Sequence, residues 1–148
     1  MDQKKFNKII QFAINKEIRS YTFYINASKM EKFSGSKALF LDLAKKEEGH
    51  RKMLEKLDME KITKARIVKV PDLKISDYMA KIEFKPNLSY ANILRVAMKM
   101  EESSLKLYKD LKEKNTNKDL KKLFGLLANE EAKHKLRLEK IYDQEILK

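Results

Sequence analysis

The chain has 148 residues, 34 Lys and Arg against 22 Asp and Glu, and a net charge of +12. It holds no cysteine, which excludes a disulfide scaffold, a thiolate metal site and a cysteine nucleophile. Three Gly and two Pro are too few turn formers for a many-stranded β protein, and 43% hydrophobic residues argue against global disorder. One domain over 1–148 is expected.

Apolar residues recur at helical spacing in four segments. The first helix is expected at about 4–31, with Phe6, Ile9, Ile10, Ala13, Ile14, Ile18, Tyr21, Tyr24, Ile25 and Ser28 on one stripe. Ser34-Gly35-Ser36 breaks the pattern and offers an N-cap to a second helix at 36–57, whose stripe runs through Leu39, Phe40, Leu43, Ala44, Leu54 and Leu57. A join at 58–88 follows, holding Pro71, Pro86 and the alternating run Ile67-Val68-Lys69-Val70. The third helix is expected at 89–113, through Ile93, Leu94, Ala97, Met100, Leu107, Tyr108 and Leu111. Asn115-Thr116-Asn117 turns the chain into a fourth at 118–146, through Leu120, Leu123, Phe124, Leu127, Leu138, Ile141 and Tyr142. Methionines such as Met53, Met98 and Met100 read as core filling.

The first and last joins are short enough for antiparallel hairpins, and a join as long as 58–88 suits a crossover along a bundle. The predicted architecture is all-α, an antiparallel four-helix bundle with one long crossover between helices 2 and 3, the topology of ferritin-like folds.

Polar residues interrupt these stripes in a repeated way. Glu47 and His50 stand three apart between Leu43 and Leu54, and Glu131 and His134 stand three apart between Leu127 and Leu138. At that spacing both side chains leave one helix face and can reach one centre. Glu17 lies within the stripe of helix 1 and Glu101 within that of helix 3. A single offset of 84 residues maps Ala13 to Ala97, Glu17 to Glu101, Tyr24 to Tyr108, Ala44 to Ala128, Glu47 to Glu131 and His50 to His134. The second helix pair is an internal copy of the first. The neighbours Glu48, Glu102 and Glu130 are expected in solvent.

Burying even one unpaired carboxylate costs several kcal/mol. Two divalent cations would neutralise Glu17, Glu47, Glu101 and Glu131, and one Glu from each of two helices plus Glu-x-x-His from each of the other two is the ligand set of di-iron and di-manganese carboxylate sites. A polar network without metal is the competing reading.

The stretches Ala13–Glu17 with Tyr24, Leu43–His50, Ala97–Glu101 with Tyr108, and Leu127–His134 resemble the rubrerythrin branch of the ferritin-like superfamily over nearly the whole chain. The resemblance implies two Fe ions per chain (Mn being the alternative), bridged by Glu47 and Glu131, with Glu17 and Glu101 as terminal ligands and His50 and His134 capping one ion each. It gives Tyr24 and Tyr108 a catalytic part as hydrogen-bond donors to ligand carboxylates. It implies a di-iron oxidoreductase reacting with hydrogen peroxide or dioxygen, and a homodimer. Full-length rubrerythrins add a cysteine-ligated rubredoxin domain; this chain has no cysteine, so an external electron-donor protein is expected. The family also tends to carry a Glu where this chain has Ser104, matched by Ser20 in the other repeat. The alternatives are ferroxidase or iron-handling activity, and a basic non-catalytic helical binding module.

Charge along the chain is spread rather than clustered: +5 over 1–58, +3 over 59–88 and +4 over 89–148. With only five Arg, a nucleic-acid partner is not expected. The longest apolar run is four residues, Ala38–Leu41, so no membrane contact is expected. Met1–Phe6 lacks a signal-peptide stretch, and a cytoplasmic location is expected.

Overall fold

The computed structural model describes residues 3–30, 35–57 and 88–147. They form four helices: α1 (Gln3–Ser28), α2 (Lys37–Glu55), α3 (Tyr90–Lys114) and α4 (Lys118–Glu145). No strand occurs among the described residues, and none of their helices is long and apolar enough to cross a membrane.

Local chemistry sets the helix starts. Ser89 Oγ accepts from Asn92 N at the head of α3, and Asn117 Oδ1 accepts from Asp119 N and Leu120 N at the head of α4. Each such cap stabilises its helix by about 1 kcal/mol. Ser36 stands at the N-cap of α2 but makes no side-chain cap; its Oγ bonds to Tyr90 Oη at 2.6 Å. That bond ties the start of α2 to the start of α3.

The pairings fix the topology. α1 packs along α2, and α3 along α4, as antiparallel hairpins. Tyr24 reaches Glu101 while Tyr108 reaches Glu17, so α1 and α3 are also antiparallel. Arg137–Asp42 and His50–Glu131 pair α4 with α2 in the same sense. It follows that α2 and α3 run in the same direction, with the end of α2 and the start of α3 at opposite ends of the bundle. This is the ferritin-like four-helix bundle. The expected crossover itself, apart from Leu88, lies outside the described residues, as does the start of the Ser34-Gly35-Ser36 break.

The helix bounds fall close to the expected ones, and the apolar stripes of α3 and α4 are buried or half-buried throughout. The stripe of α1 needs correction. Phe6, Ile9, Ile10, Ala13, Ile14, Tyr24 and Ser28 are buried as expected, with Tyr21 and Ile25 half-buried, and Glu17, Ser20, Phe23 and Ala27 are buried beside them, while Ile18 is 42% exposed. Once Glu17 points inward, Ile18 lies about 100° round the helix and meets solvent. Met53 is likewise 40% exposed because Leu54, its neighbour, takes the inward position. Met100 is buried as expected.

The apolar interior is split in two. One cluster gathers Phe6, Ile10, Leu54, Leu111 and Phe124; the other gathers Phe23, Phe40, Leu43, Leu94 and Leu138. The polar layer lies between them.

Candidate metal centre

Each helix supplies its part of that layer from a position fixed by helical period: Glu17 from α1, Glu47 and His50 from α2, Glu101 from α3, Glu131 and His134 from α4. All six residues are buried, none more than 4% exposed. Their neighbours Glu48, Glu102 and Glu130 are partly or fully exposed.

The six residues fall into two overlapping groups. Glu17, Glu47, His50 and Glu131 place one ligand atom each within 4.8 Å of one another, and so do Glu47, Glu101, Glu131 and His134. Glu47 and Glu131 belong to both. His50 Nδ1 lies 2.7 Å from Glu131 Oε1, 3.5 Å from Glu47 Oε1 and 3.6 Å from Glu17 Oε1. His134 Nδ1 lies 3.2 Å from Glu47 Oε1, 3.5 Å from Glu101 Oε2 and 4.0 Å from Glu131 Oε1. The 84-residue repeat therefore survives as an approximate two-fold arrangement in space.

Hydrogen bonding within the cluster is incomplete. Ten buried side-chain N and O atoms among the described residues lack a hydrogen-bond partner, and nine belong to these six residues. Both oxygens of Glu47 and of Glu131 are among them, as is Nδ1 of each histidine. His50 Nδ1 is close to Glu131 yet not aligned for a hydrogen bond. Donor atoms that converge without bonding one another suit a cation placed among them. The donor set of carboxylate oxygens and imidazole nitrogens suits iron or manganese.

Electrostatics point the same way. Burial, followed by the Glu101 and Glu17 charges, pushes the Glu47 carboxyl well above the usual carboxylate range. Burial with Glu101, Glu47 and Glu17 does the same to Glu131. Burial would raise Glu101 too, but the neighbouring Glu131 and His134, and the hydrogen bond from Tyr24, hold it below the ordinary value. Burial alone would lower the His134 imidazole; the Glu101 and Glu47 carboxylates overcome it and push it up to about 10. In the absence of metal, the cluster meets its excess of negative charge by holding protons.

The two tyrosines cross the bundle reciprocally. Tyr24 Oη on α1 donates to Glu101 Oε1 on α3, and Tyr108 Oη on α3 donates to Glu17 Oε1 on α1, both at 2.6 Å. Burial, then the charge of the bonded Glu, raises both phenols well above their ordinary value, so they stay protonated donors. Tyr24 holds Glu101 Oε1 and leaves Oε2 facing His134, whereas Tyr108 holds the same Glu17 oxygen, Oε1, that faces His50 Nδ1. Ring stacking holds them in place, Tyr24 on Phe40 and Tyr108 on Phe124.

Sequence reasoning missed Lys16. Its side chain is buried, Nζ lies 3.0 Å from Ser103 Oγ, and burial lowers its pKa against the upward pull of Glu131, Glu17, Glu101 and Glu47. The signal was present: the 84-residue offset sets Lys16 against Met100, a buried apolar residue. Ser20 and Ser104 are also buried, at matched positions.

Among known proteins, the structure is similar to that of a hypothetical protein from Pyrococcus furiosus. The two share 25% identity and a TM-score of 0.73, with 93% of this chain and 88% of that chain covered. No curated protein matches the chain. A rubrerythrin family model matches residues 8–142, and the chain belongs to the rubrerythrin family.

Proposed function

We propose that the protein is a cytoplasmic di-iron oxidoreductase that reduces hydrogen peroxide or dioxygen with electrons from a separate donor protein. The observation that carries this reading is the pair of overlapping ligand groups sharing Glu47 and Glu131. Glu47 and Glu131 would bridge two ions, Glu17 and Glu101 would each complete one, and His50 and His134 would cap one each. Two ferrous ions bound there would supply one electron each and Lewis acidity toward a bound oxygen species.

The protein's own part is positional and protonic. The two apolar clusters above and below the layer exclude water, which strengthens every charge interaction inside it. Tyr24 and Tyr108 fix the terminal carboxylates and keep their own protons. Reduction of peroxide to two waters consumes two protons and two electrons; Glu47 and Glu131, whose pKa values burial raises in the metal-free cluster, give up their protons when they ligate cations. Histidine must be neutral to ligate, so loading the centre displaces the proton that His134 otherwise holds.

A second reading, oxidation of Fe(II) as cargo, draws support from Ser104. It is buried where the resembling family tends to carry a further Glu, so this centre has one carboxylate fewer for redox-linked rearrangement. Peroxide consumption with an external reductant separates the two. Sustained turnover is the expected result; a single turnover with net accumulation of Fe(III) would favour iron oxidation.

A further inference from the structure

Along the chain the positive charge is spread, but the fold gathers it. The N-terminus of α1, the C-termini of α2 and α3 and the N-terminus of α4 meet at one end of the bundle, around the cluster of Phe6, Leu54, Leu111 and Phe124. The described segments at that end (3–13, 50–57, 105–115 and 116–127) carry 13 Lys or Arg against Glu55, Asp110, Glu113 and Asp119. The opposite end (20–30, 35–44, 88–98 and 134–147) carries 6 against 4. The excess is thus +9 at one end and +2 at the other. Every cation in the described segments at this end is exposed or half-exposed; Arg51 and Lys52 are among those that pair, with Glu55 and Glu48 along α2.

The composition of this end narrows the partner. Twelve of its thirteen cations are Lys. Protein–protein interfaces are depleted in Lys and anchored by aromatic residues and Arg. Here Phe6, Tyr108 and Phe124 are buried, Phe12 packs on the core, and the single Arg faces Glu55. The exposed large apolar side chains at this end, among the described residues, are Met53 and Leu126. Among the described residues of this end no ring is exposed to stack on single-stranded bases, and the one Arg, which could read base edges, pairs with Glu55. Lysines acting as point charges suit the phosphate backbone of duplex nucleic acid, which carries one charge per about 1.7 Å of axis. We infer that the end of the bundle formed by the α1 and α4 N-termini and the α2 and α3 C-termini binds duplex nucleic acid through its phosphates, without sequence preference.

The test compares two variants with equal loss of charge. Lys8, Lys118 and Lys122 are replaced by Gln at the basic end, and Lys29, Lys37 and Lys140 at the other; all six are exposed. Substitutions at exposed positions of this kind leave the core untouched, and coincident melting curves confirm intact folds. Binding of a mixed-sequence DNA duplex is followed by fluorescence anisotropy between about 50 and 200 mM salt, with polyglutamate as a second probe. The basic-end triple should lose at least about tenfold in affinity and flatten the plot of log K against log salt by roughly 3, while the other triple stays within about twofold of wild type. Equal weakening by both triples would overturn the inference in favour of diffuse net charge. Tighter binding of polyglutamate than of DNA would overturn it in favour of an acidic protein. So would absence of DNA binding at the lowest salt.

Discussion

His50 and His134 lie face to face across the middle of the bundle, ring centroids 5.7 Å apart and planes within 10°. Each points Nδ1 at a carboxylate of the other repeat, His50 at Glu131 and His134 at Glu47. Two imidazoles stacked this closely in an apolar bundle would repel each other if both were protonated. Carboxylates that alternate with them, or cations that replace the protons, make the arrangement tolerable.

The shared and unshared carboxylates should differ in what their removal does. Glu47→Ala or Glu131→Ala removes a ligand from both groups, whereas Glu17→Ala or Glu101→Ala removes one from a single group. The expected metal content is below one ion per chain for the first pair and about one for the second, against about two in the wild type. Elemental analysis of each loaded, desalted variant checks this.

The tyrosines act through the carboxylates they hold. Tyr24→Phe keeps the ring packed on Phe40 but removes the donor to Glu101. Loss of a partner of this kind weakens metal binding or activity by about 10- to 100-fold. Competition with a chelator should show that drop for Tyr24→Phe, and a matching one for Tyr108→Phe.

The metal-free protein should lose stability as pH rises. His134 has its pKa raised from 6.5 to about 10 in the fold, so its contribution is complete below 6.5 and fades as pH rises towards about 10. Glu47 and Glu131, also raised, act in the same direction by favouring the fold in their protonated form. Thermal melts of chelator-treated protein should therefore shift down across that window. Metal-loaded protein should show a flatter profile, because cations replace the protons.

Helix capping gives an independent check on the fold. Asn117 Oδ1 satisfies two backbone donors at the start of α4. Asn117→Ala should lower stability by about 1 kcal/mol in denaturant titrations and leave metal content unchanged.

The centre is legible in the sequence because it violates the pattern around it. Glu17, Glu47, Glu101 and Glu131 occupy apolar positions, and the 84-residue offset repeats that violation, so residue order alone indicates their faces and partners. The reciprocal Tyr24–Glu101 and Tyr108–Glu17 bonds are harder to read, since an aromatic residue on a helix stripe is ordinarily core. Ile18 and Met53 are misplaced by periodicity because the stripe of a helix is wide, and only packing decides which edge is covered. Lys16 escapes notice for the opposite reason: a lysine is expected in solvent, and only the packed bundle shows it buried with its Nζ at Ser103 of α3. The gathering of charge at one end is invisible along the chain, because it depends on which helix ends meet.

The central claim is that two cations neutralise the carboxylates buried between the apolar clusters. Anaerobic titration of the metal-free protein with Fe(II), followed by desalting and elemental analysis, tests it most directly. The expected result is saturation at about two tightly held ions per chain, with protons released on binding. Saturation at one ion, or iron lost entirely on desalting, would contradict it.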